Sequence, residues 1–323
     1  NDTPSYEQPA LALLELGRFA ASPSQPTRPE VVRTPGYPIF ISAVYGLFGR
    51  RRAAVVVAQI LLGALALLLV YALGRRFWNS RVGLLAMVLL ALDPGSHHYP
   101  LLMLSETLFV VMLLGAMAAG RRLIEIKRDE TAWACALGLF LAAAAFVRPV
   151  AYYLFFPVLA GLAIAKRRSG HRWRRVAAVA VLMALPWLIL VGGWQVRNHL
   201  VFGRSTFSQI QNVNLYLYRA AGVVALREGV GFEQARQRLR DQIRGETRGL
   251  PPAEKYDVYR RRAIQILADH PVLLAKSTAL GLAKFMLGPA SIDFYIYLGH
   301  DLEGPGPLSD LALHLEADDL VED

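Results

Sequence analysis

Long uncharged runs separated by knots of arginine set the plan of this chain. Residues 53–74 form 22 positions without a charge, residues 176–196 form 21, and residues 131–147 form 17. Residues 149–165 add another such run. A helix needs about 20 apolar residues to cross a bilayer core, within a range of about 17 to 25. The apolar stretch 82–120 is too long for one crossing and is interrupted at Asp93-Pro94-Gly95. Its two arms therefore read as a helical hairpin. The pattern predicts an all-α, polytopic transmembrane protein.

The charges between the runs orient them. Basic clusters stand at Arg75-Arg76-Arg81, at Arg121-Arg122-Lys127-Arg128, and from Lys166 through Arg175. Two apolar runs separate each cluster from the next. Basic loops favour the cytoplasmic side, so all three fall on one face. The turns with Asp93 to Glu106 and with Arg148-Pro149 then share the opposite, extracytoplasmic face. The first segment, with Asp2 and Arg33, belongs there too.

Between the crossings the pattern changes. Residues 2–17 open with Thr3-Pro4-Ser5 and place Tyr6, Ala10, Leu13 and Leu14 before Gly17, as a short amphipathic helix would. Residues 20–35 are rich in Pro and Ser and read as a loop. Residues 36–49 are apolar but would reach only about 21 Å as a helix, short of a core of about 30 Å. That run should lie in the interface or re-enter, with Tyr37, Phe40, Tyr45 and Phe48 at headgroup depth. After Val196 the chain turns polar, and residues 232–248 and 252–267 read as charged surface helices. Residues 271–287 favour one more membrane helix with Lys276 and Lys284 snorkelling. We expect four regions: a first extracytoplasmic loop with interfacial helices (1–52), a transmembrane core (53–197), an extracytoplasmic segment with surface helices (198–270), and a further membrane helix with a tail (271–323). The opening at Asn1 reads as mid-loop, as in a chain lacking a preceding membrane helix.

Composition narrows the function. The chain has 323 residues, 54% of them hydrophobic, and a formal net charge of +10. The excess charge lies in the cytoplasmic loops, where anionic lipids attract it. No basic stripe with interleaved aromatics stands elsewhere, which argues against nucleic acid as a partner. Cys135 is the lone cysteine, so no disulfide framework or Cys-based metal site is expected. His97-His98 near Asp93 lacks an evident third ligand, and we expect no metal site there. No Walker loop, GxGxxG, HExxH or GxSxG motif occurs.

The residues that can do chemistry gather on the extracytoplasmic side. Asp2 reads as a general base or, alternatively, as a helix cap. Glu106 lies near the outer end of a membrane helix, where a carboxylate demands a partner or water; its other reading is an acid complementing the helix dipole. Arg33-Thr34-Pro35-Gly36-Tyr37-Pro38 joins a cation to a rigid turn, and a guanidinium matches phosphate with paired donors. Arg148-Pro149 calls for a phosphate or carboxylate partner, and Arg197 is a weaker case of the same kind. We assign Asp2 and Glu106 as catalytic candidates, and Tyr6, Arg33, Tyr37, Arg148 and Arg197 as substrate-binding candidates.

The order of these elements carries a resemblance. An Asp and a Tyr in the first loop precede a short Ala/Leu helix ending Gly17-Arg18-Phe19. Then come Arg33 to Pro38, an apolar run with Gln59 and Tyr71-Ala72-Leu73-Gly74-Arg75-Arg76, and Leu104-Ser105-Glu106-Thr107-Leu108-Phe109. Val147-Arg148-Pro149, Trp194 to Asn198 and Phe202-Gly203-Arg204 complete it. The chain resembles membrane glycosyltransferases of the C superfamily, in the bacterial group similar to protein O-mannosyltransferases and lipid A aminoarabinose transferases (family 39-like). The resemblance covers roughly residues 2–218. It departs at both ends, where the family's first helix and further C-terminal helices are absent.

The resemblance implies transfer of a sugar from a polyprenyl-phosphate donor to an acceptor hydroxyl on the extracytoplasmic face of a bacterial inner membrane, with inversion. It makes Asp2 the expected base, and places Arg33 to Pro38 near the lipid phosphate. It implies a membrane lipid environment and an acceptor of glycan, lipid or protein type, and leaves open a divalent cation joining Asp2 and Glu106. Two other classes compete: a transporter or flippase with Glu106 and Arg148 lining a pathway, and a non-catalytic membrane scaffold. No inverted repeat is seen, and the charges collect at one face instead of the midplane, which disfavours the transporter.

Overall fold

The computed structural model describes residues 3–125 and 129–287. They fold into helices and connecting turns, and among them no strand forms beyond one isolated bridge between Ala20 and Pro29. Asp2, Lys127, Arg128 and the tail after Leu287 lie outside the described residues. Contacts divide the chain between Ser208 and Gln209 into two compact units.

The first unit begins with α1 (Thr3–Leu16), closed by Gly17 in the left-handed conformation, and α2 (Gly36–Phe48). Five helices follow: α3 (Arg52–Phe77), α4 (Ser80–Leu92), α5 (Pro94–Leu101), α6 (Glu106–Glu125) and α7 (Glu130–Val147). A 3-10 turn, Pro149–Tyr152, leads into α8 (Phe155–Arg168). Next α9 (Trp173–Trp187), a π segment Leu188–Gly192 and α10 (Gly193–Phe202) run on without a break. Five stretches are long and apolar enough to cross a membrane: Arg52–Phe77, Glu106–Glu125, Glu130–Val147, Pro149–Arg168 and Trp173–Phe202. The expected all-α, multi-pass architecture is thus what the chain adopts.

The hairpin expected over residues 82–120 has a more divided return arm. Asp93 ends α4 and caps α5, its Oδ2 accepting from the Ser96 backbone N–H and hydroxyl at 2.8 Å each. The carboxylate near His97 is therefore engaged as a cap. The last crossing is longer than the uncharged run suggested, because Arg197, Asn198 and His199 continue the helix to Phe202.

Two main clusters of buried side chains hold this unit, with a small third of Ala66, Leu73, Val111 and Leu114 between α3 and α6. The larger joins α6, α7, α8 and α9 through Leu123, Leu137, Leu141, Met183 and Trp187. The smaller joins α1, α2 and α3 through Tyr6, Tyr37, Ile41, Tyr45 and Val55. The α7–α9 contact is so close that a Cβ on Gly138 would overlap the Met183 carbonyl oxygen. At the ends bearing the basic clusters, Lys166 is buried and donates to the Leu123 carbonyl at 2.7 Å and to Glu130 at 2.5 Å. Arg175 donates to the other Glu130 oxygen at 2.9 Å. Arg76 and Arg121 share Glu125 at 2.7 and 2.5 Å. The basic ends of α3, α6, α8 and α9 therefore meet on one side, opposite the ends bearing Glu106 and Arg148.

In the second unit, α11 (Ile210–Asn214), a π segment Leu215–Ala220 and α12 (Ala221–Glu228) form one continuous helix where the sequence reads as a polar stretch. Its buried Tyr216, Ala220, Ala221 and Val224 pack with α13 (Phe232–Glu246) and α14 (Pro252–Asp269). The helix α15 (Pro271–Leu287) brings Ser277 against Gly222 of α12.

Two stability outcomes follow. Gly138→Ala must push α7 from α9 and should lower the thermal midpoint in detergent. Gly161→Ala on α8 meets nothing within 4 Å and should raise or hold it, since alanine gains up to about 1 kcal/mol of helix propensity. Equal midpoints would show that α9 yields freely. In the second unit, the Tyr216 hydroxyl is fully buried without a hydrogen-bond partner among the described residues, and burial pushes its phenol up to about 12. Tyr216→Phe removes an unbonded polar group and should leave the melting midpoint unchanged or higher. A clear drop would reveal a bond to that hydroxyl.

Candidate active site at the Glu106 end

The helix α1 reaches the site because it is fastened at its middle. Glu7 is buried where α1, α2 and α3 meet, and the Arg52 guanidinium donates to both its oxygens at 3.1 and 2.6 Å. The Tyr45 hydroxyl donates to it at 2.7 Å. The Arg52 bonds hold the Glu7 carboxyl below its usual range, against an opposing push from burial. These partners lie 38 and 45 positions away along the chain, and sequence reading did not single them out.

Tyr6, beside Glu7, is the hub. Its hydroxyl accepts from Arg33 Nη1 at 3.0 Å and lies 3.4 Å from Ser105 Oγ. The Arg33 guanidinium also stacks over the Tyr6 ring, 4.4 Å from its centroid. The Tyr37 ring meets the Tyr6 ring edge-on at 5.0 Å. Tyr37 is fully buried and donates its hydroxyl to Gln59. Burial, then the nearby Tyr6, Glu106 and Tyr45, push the Tyr37 phenol far up, so it stays a neutral donor.

Two further contacts bring in the chain between α7 and α8. Glu106, the first residue of α6, pairs with Arg148 at 2.5 Å, each about one-third exposed. Arg148 also lies over the Phe109 ring at 5.8 Å. Gly36 starts α2 directly against the backbone of Phe146 and Val147, where a Cβ would come within 2.6–2.7 Å. This contact seats the Arg33-Thr34-Pro35 turn against the end of α7, next to Arg148.

Arg197 is turned elsewhere. It donates to the carbonyls of Glu30 and Phe19 at 3.1 and 2.9 Å and to Asn198 Oδ1 at 2.9 Å, and lies 4.7 Å above the Trp194 ring. Glu30 in turn accepts from the backbone N–H groups of Val32 and Arg33 at 2.7 and 2.8 Å. Arg197 thus holds the loop that presents Arg33. Tyr6, Arg33, Tyr37, Glu106 and Arg148 are brought together; Asp2, next in sequence to Thr3, lies outside the described residues. Among the described residues, no three His, Cys, Asp or Glu side chains converge as metal ligands.

A family model described as dolichyl-phosphate-mannose-protein mannosyltransferase matches residues 32–190. The match spans just under half of the chain, and residues 32–190 are similar to this family. The match takes in Arg33, Tyr37, Gln59, Glu106 and Arg148. No curated protein and no solved structure matches the chain. Similarity to this family, together with five apolar stretches long enough to cross a membrane, points to a multi-pass membrane glycosyltransferase.

The Glu7 clamp makes a pH prediction. Its folded carboxyl titrates below the ordinary 4.5. The clamp's stabilisation is therefore complete above that value and is lost as pH falls through the depressed folded one. Glu7→Gln should flatten the acid limb of a detergent stability profile between about pH 5 and 3. An unchanged acid limb would remove Glu7 as its source.

Proposed function

We propose that the Glu106 end is the transfer site of an inverting glycosyltransferase, facing the extracytoplasmic side. The observation that carries this reading is the convergence, within the family-matched stretch, of the Arg33 turn and the Glu106–Arg148 pair, both joined to α1 by Tyr6. The basic ends, which meet on the opposite side, support this choice of face.

Arg33 and Arg148 take the phosphate of a polyprenyl-phosphate sugar. The pairing of Glu106 recasts its role: it orients the Arg148 guanidinium instead of acting as a lone base. Asp2, in the segment leading into α1, removes the proton from the acceptor hydroxyl. The acceptor oxygen forms its bond to the anomeric carbon as the bond from that carbon to the phosphate oxygen breaks, which inverts the centre. The electron pair leaves with the polyprenyl phosphate, whose growing negative charge the arginines stabilise. A phosphate is already an acceptable leaving anion, so no general acid is required. Tyr6 holds Arg33, and the buried Tyr37 backs the Tyr6 ring.

Transfer of labelled mannose from polyprenyl-phosphate mannose, in membranes carrying the full chain and their native acceptors, tests the reading. Asp2→Asn should lower transfer by about 10²–10⁴-fold at normal protein level, the usual contribution of a general base. Arg33→Ala should raise the donor KM as well as slow turnover, because it removes a group that meets the phosphate. Wild-type transfer by Asp2→Asn would rule out the base, and wild-type kinetics for Arg33→Ala would move the phosphate elsewhere.

A further inference from the structure

Helix α3 faces lipid along Val57, Ile60, Leu61, Leu65 and Leu68, yet it carries a primary amide, Gln59, with no exposed surface. A buried amide in an apolar setting is unfavourable unless every donor and acceptor is met. All are met here. Its Oε1 accepts from the Tyr37 hydroxyl, and its Nε2 donates to the carbonyls of Pro100 at 2.8 Å and Leu102 at 2.6 Å. The helix α5 ends at Leu101 and α6 starts at Glu106, so the carbonyls at this break lose their helical partners; the Leu102 carbonyl also accepts from the Leu104 N–H at 2.8 Å, and the Gln59 amide adds a bond that ties this turn to α3.

We propose that Gln59 is a positioning residue for sugar transfer: one amide fixes the Leu102–Ser105 link and Tyr37, and so sets where Glu106, Tyr6 and Arg33 stand. The inference rests on the site reading above. Leu102 is extended, with φ −98° and ψ 148°, and only three residues separate it from Glu106. Ser105, in that link, is buried against the Tyr6 hydroxyl at 3.4 Å. Tyr37, on the other side of the amide, presents its ring to Tyr6 at 5.0 Å. The amide therefore reaches the site by two routes that close on Tyr6. Loss of the amide frees both routes by fractions of an ångström, and a misplacement of about 1 Å can lower the rate about 10²-fold while leaving the binding groups in place.

The test compares Gln59→Met, which keeps the length and volume but none of the bonds, with Gln59→Asn, which keeps an amide too short to span both carbonyls. Each is measured in the full chain, in membranes, with polyprenyl-phosphate mannose as probe. Readouts are kcat, donor KM and the amount of folded protein judged by its detergent melting midpoint. We expect kcat to fall at least about tenfold in both variants with donor KM within about threefold of wild type, a split that simple loss of folded protein cannot give. Gln59→Asn serves where Gln59→Met fails to fold. Tyr37→Phe should slow transfer less than Gln59→Met, because the carbonyl bonds remain. Adding Tyr37→Phe to Gln59→Met should slow it no further.

Wild-type kcat in either folded variant, or a loss matched by lost folded protein, overturns the assignment. Arg33→Ala and Glu106→Gln run alongside. If both transfer at the wild-type rate, the site reading itself is wrong and the Gln59 proposal falls with it. If they lose transfer while the Gln59 variants keep it, only the Gln59 proposal falls.

Discussion

A carbonyl at a helix end within a bilayer has no water to bond, and the first unit is organised around this constraint. Several helix ends are closed by a side chain from another element. Gln59 closes the gap between α5 and α6. Lys166 bonds the Leu123 carbonyl in the last turn of α6, and Arg121 reaches the Arg76 carbonyl in the last turn of α3 at 3.4 Å. Pro186 removes the N–H that would bond Leu182, and the Cys135 thiol reaches that carbonyl at 3.5 Å. The lone cysteine thus sits at a helix defect, as a weak donor on a small apolar side chain. Arg197 does the same for the loop carbonyls of Phe19 and Glu30. Each closure ties elements distant in sequence, so the bonds that satisfy the backbone also fix the tertiary arrangement.

Lengths and charge placement made the membrane helices legible. The runs at 53–74, 131–147 and 176–196 became α3, α7 and the α9–α10 crossing, because a bilayer demands length and neutrality and little else. Glycine and proline punctuation placed α1, α2, α13 and α14 equally well. Two features were hidden for different reasons. The uncharged run stops at Arg197, so the last crossing reads as ending at Val196 although the helix continues to Phe202. The π segment Leu215–Ala220 inserts a wider turn that shifts the phase of the apolar face, which hides the helix through Tyr216 and Ala220.

The site was legible residue by residue but not as a network. Arg33, Glu106 and Arg148 stand out because a charge at membrane depth needs an explanation. Glu7 and Gln59 do not, since an acid on a surface helix and an amide in an apolar run are ordinary in isolation. Their meaning lies in contacts 22 to 45 positions away. Arg197 shows the opposite failure: its charge drew attention, but its donors face backbone carbonyls. Net charge marks where a cation is; only the packing shows whether its donors face the loop or the site.

The two ends of the bundle differ in how they hold acids, and this difference bears on the proposed site. Glu125 is shared by Arg76 and Arg121, and Glu130 by Lys166 and Arg175. Lys166 is buried, so releasing Glu130 would strand a charge in a poorly solvated place. Glu106, among the described residues, pairs with Arg148 alone, and both side chains keep about a third of their surface open. An ion pair this exposed is worth only about 0–1 kcal/mol. An incoming phosphate can therefore share Arg148 with Glu106 at little loss, whereas the opposite end would have to break a closed network to admit one.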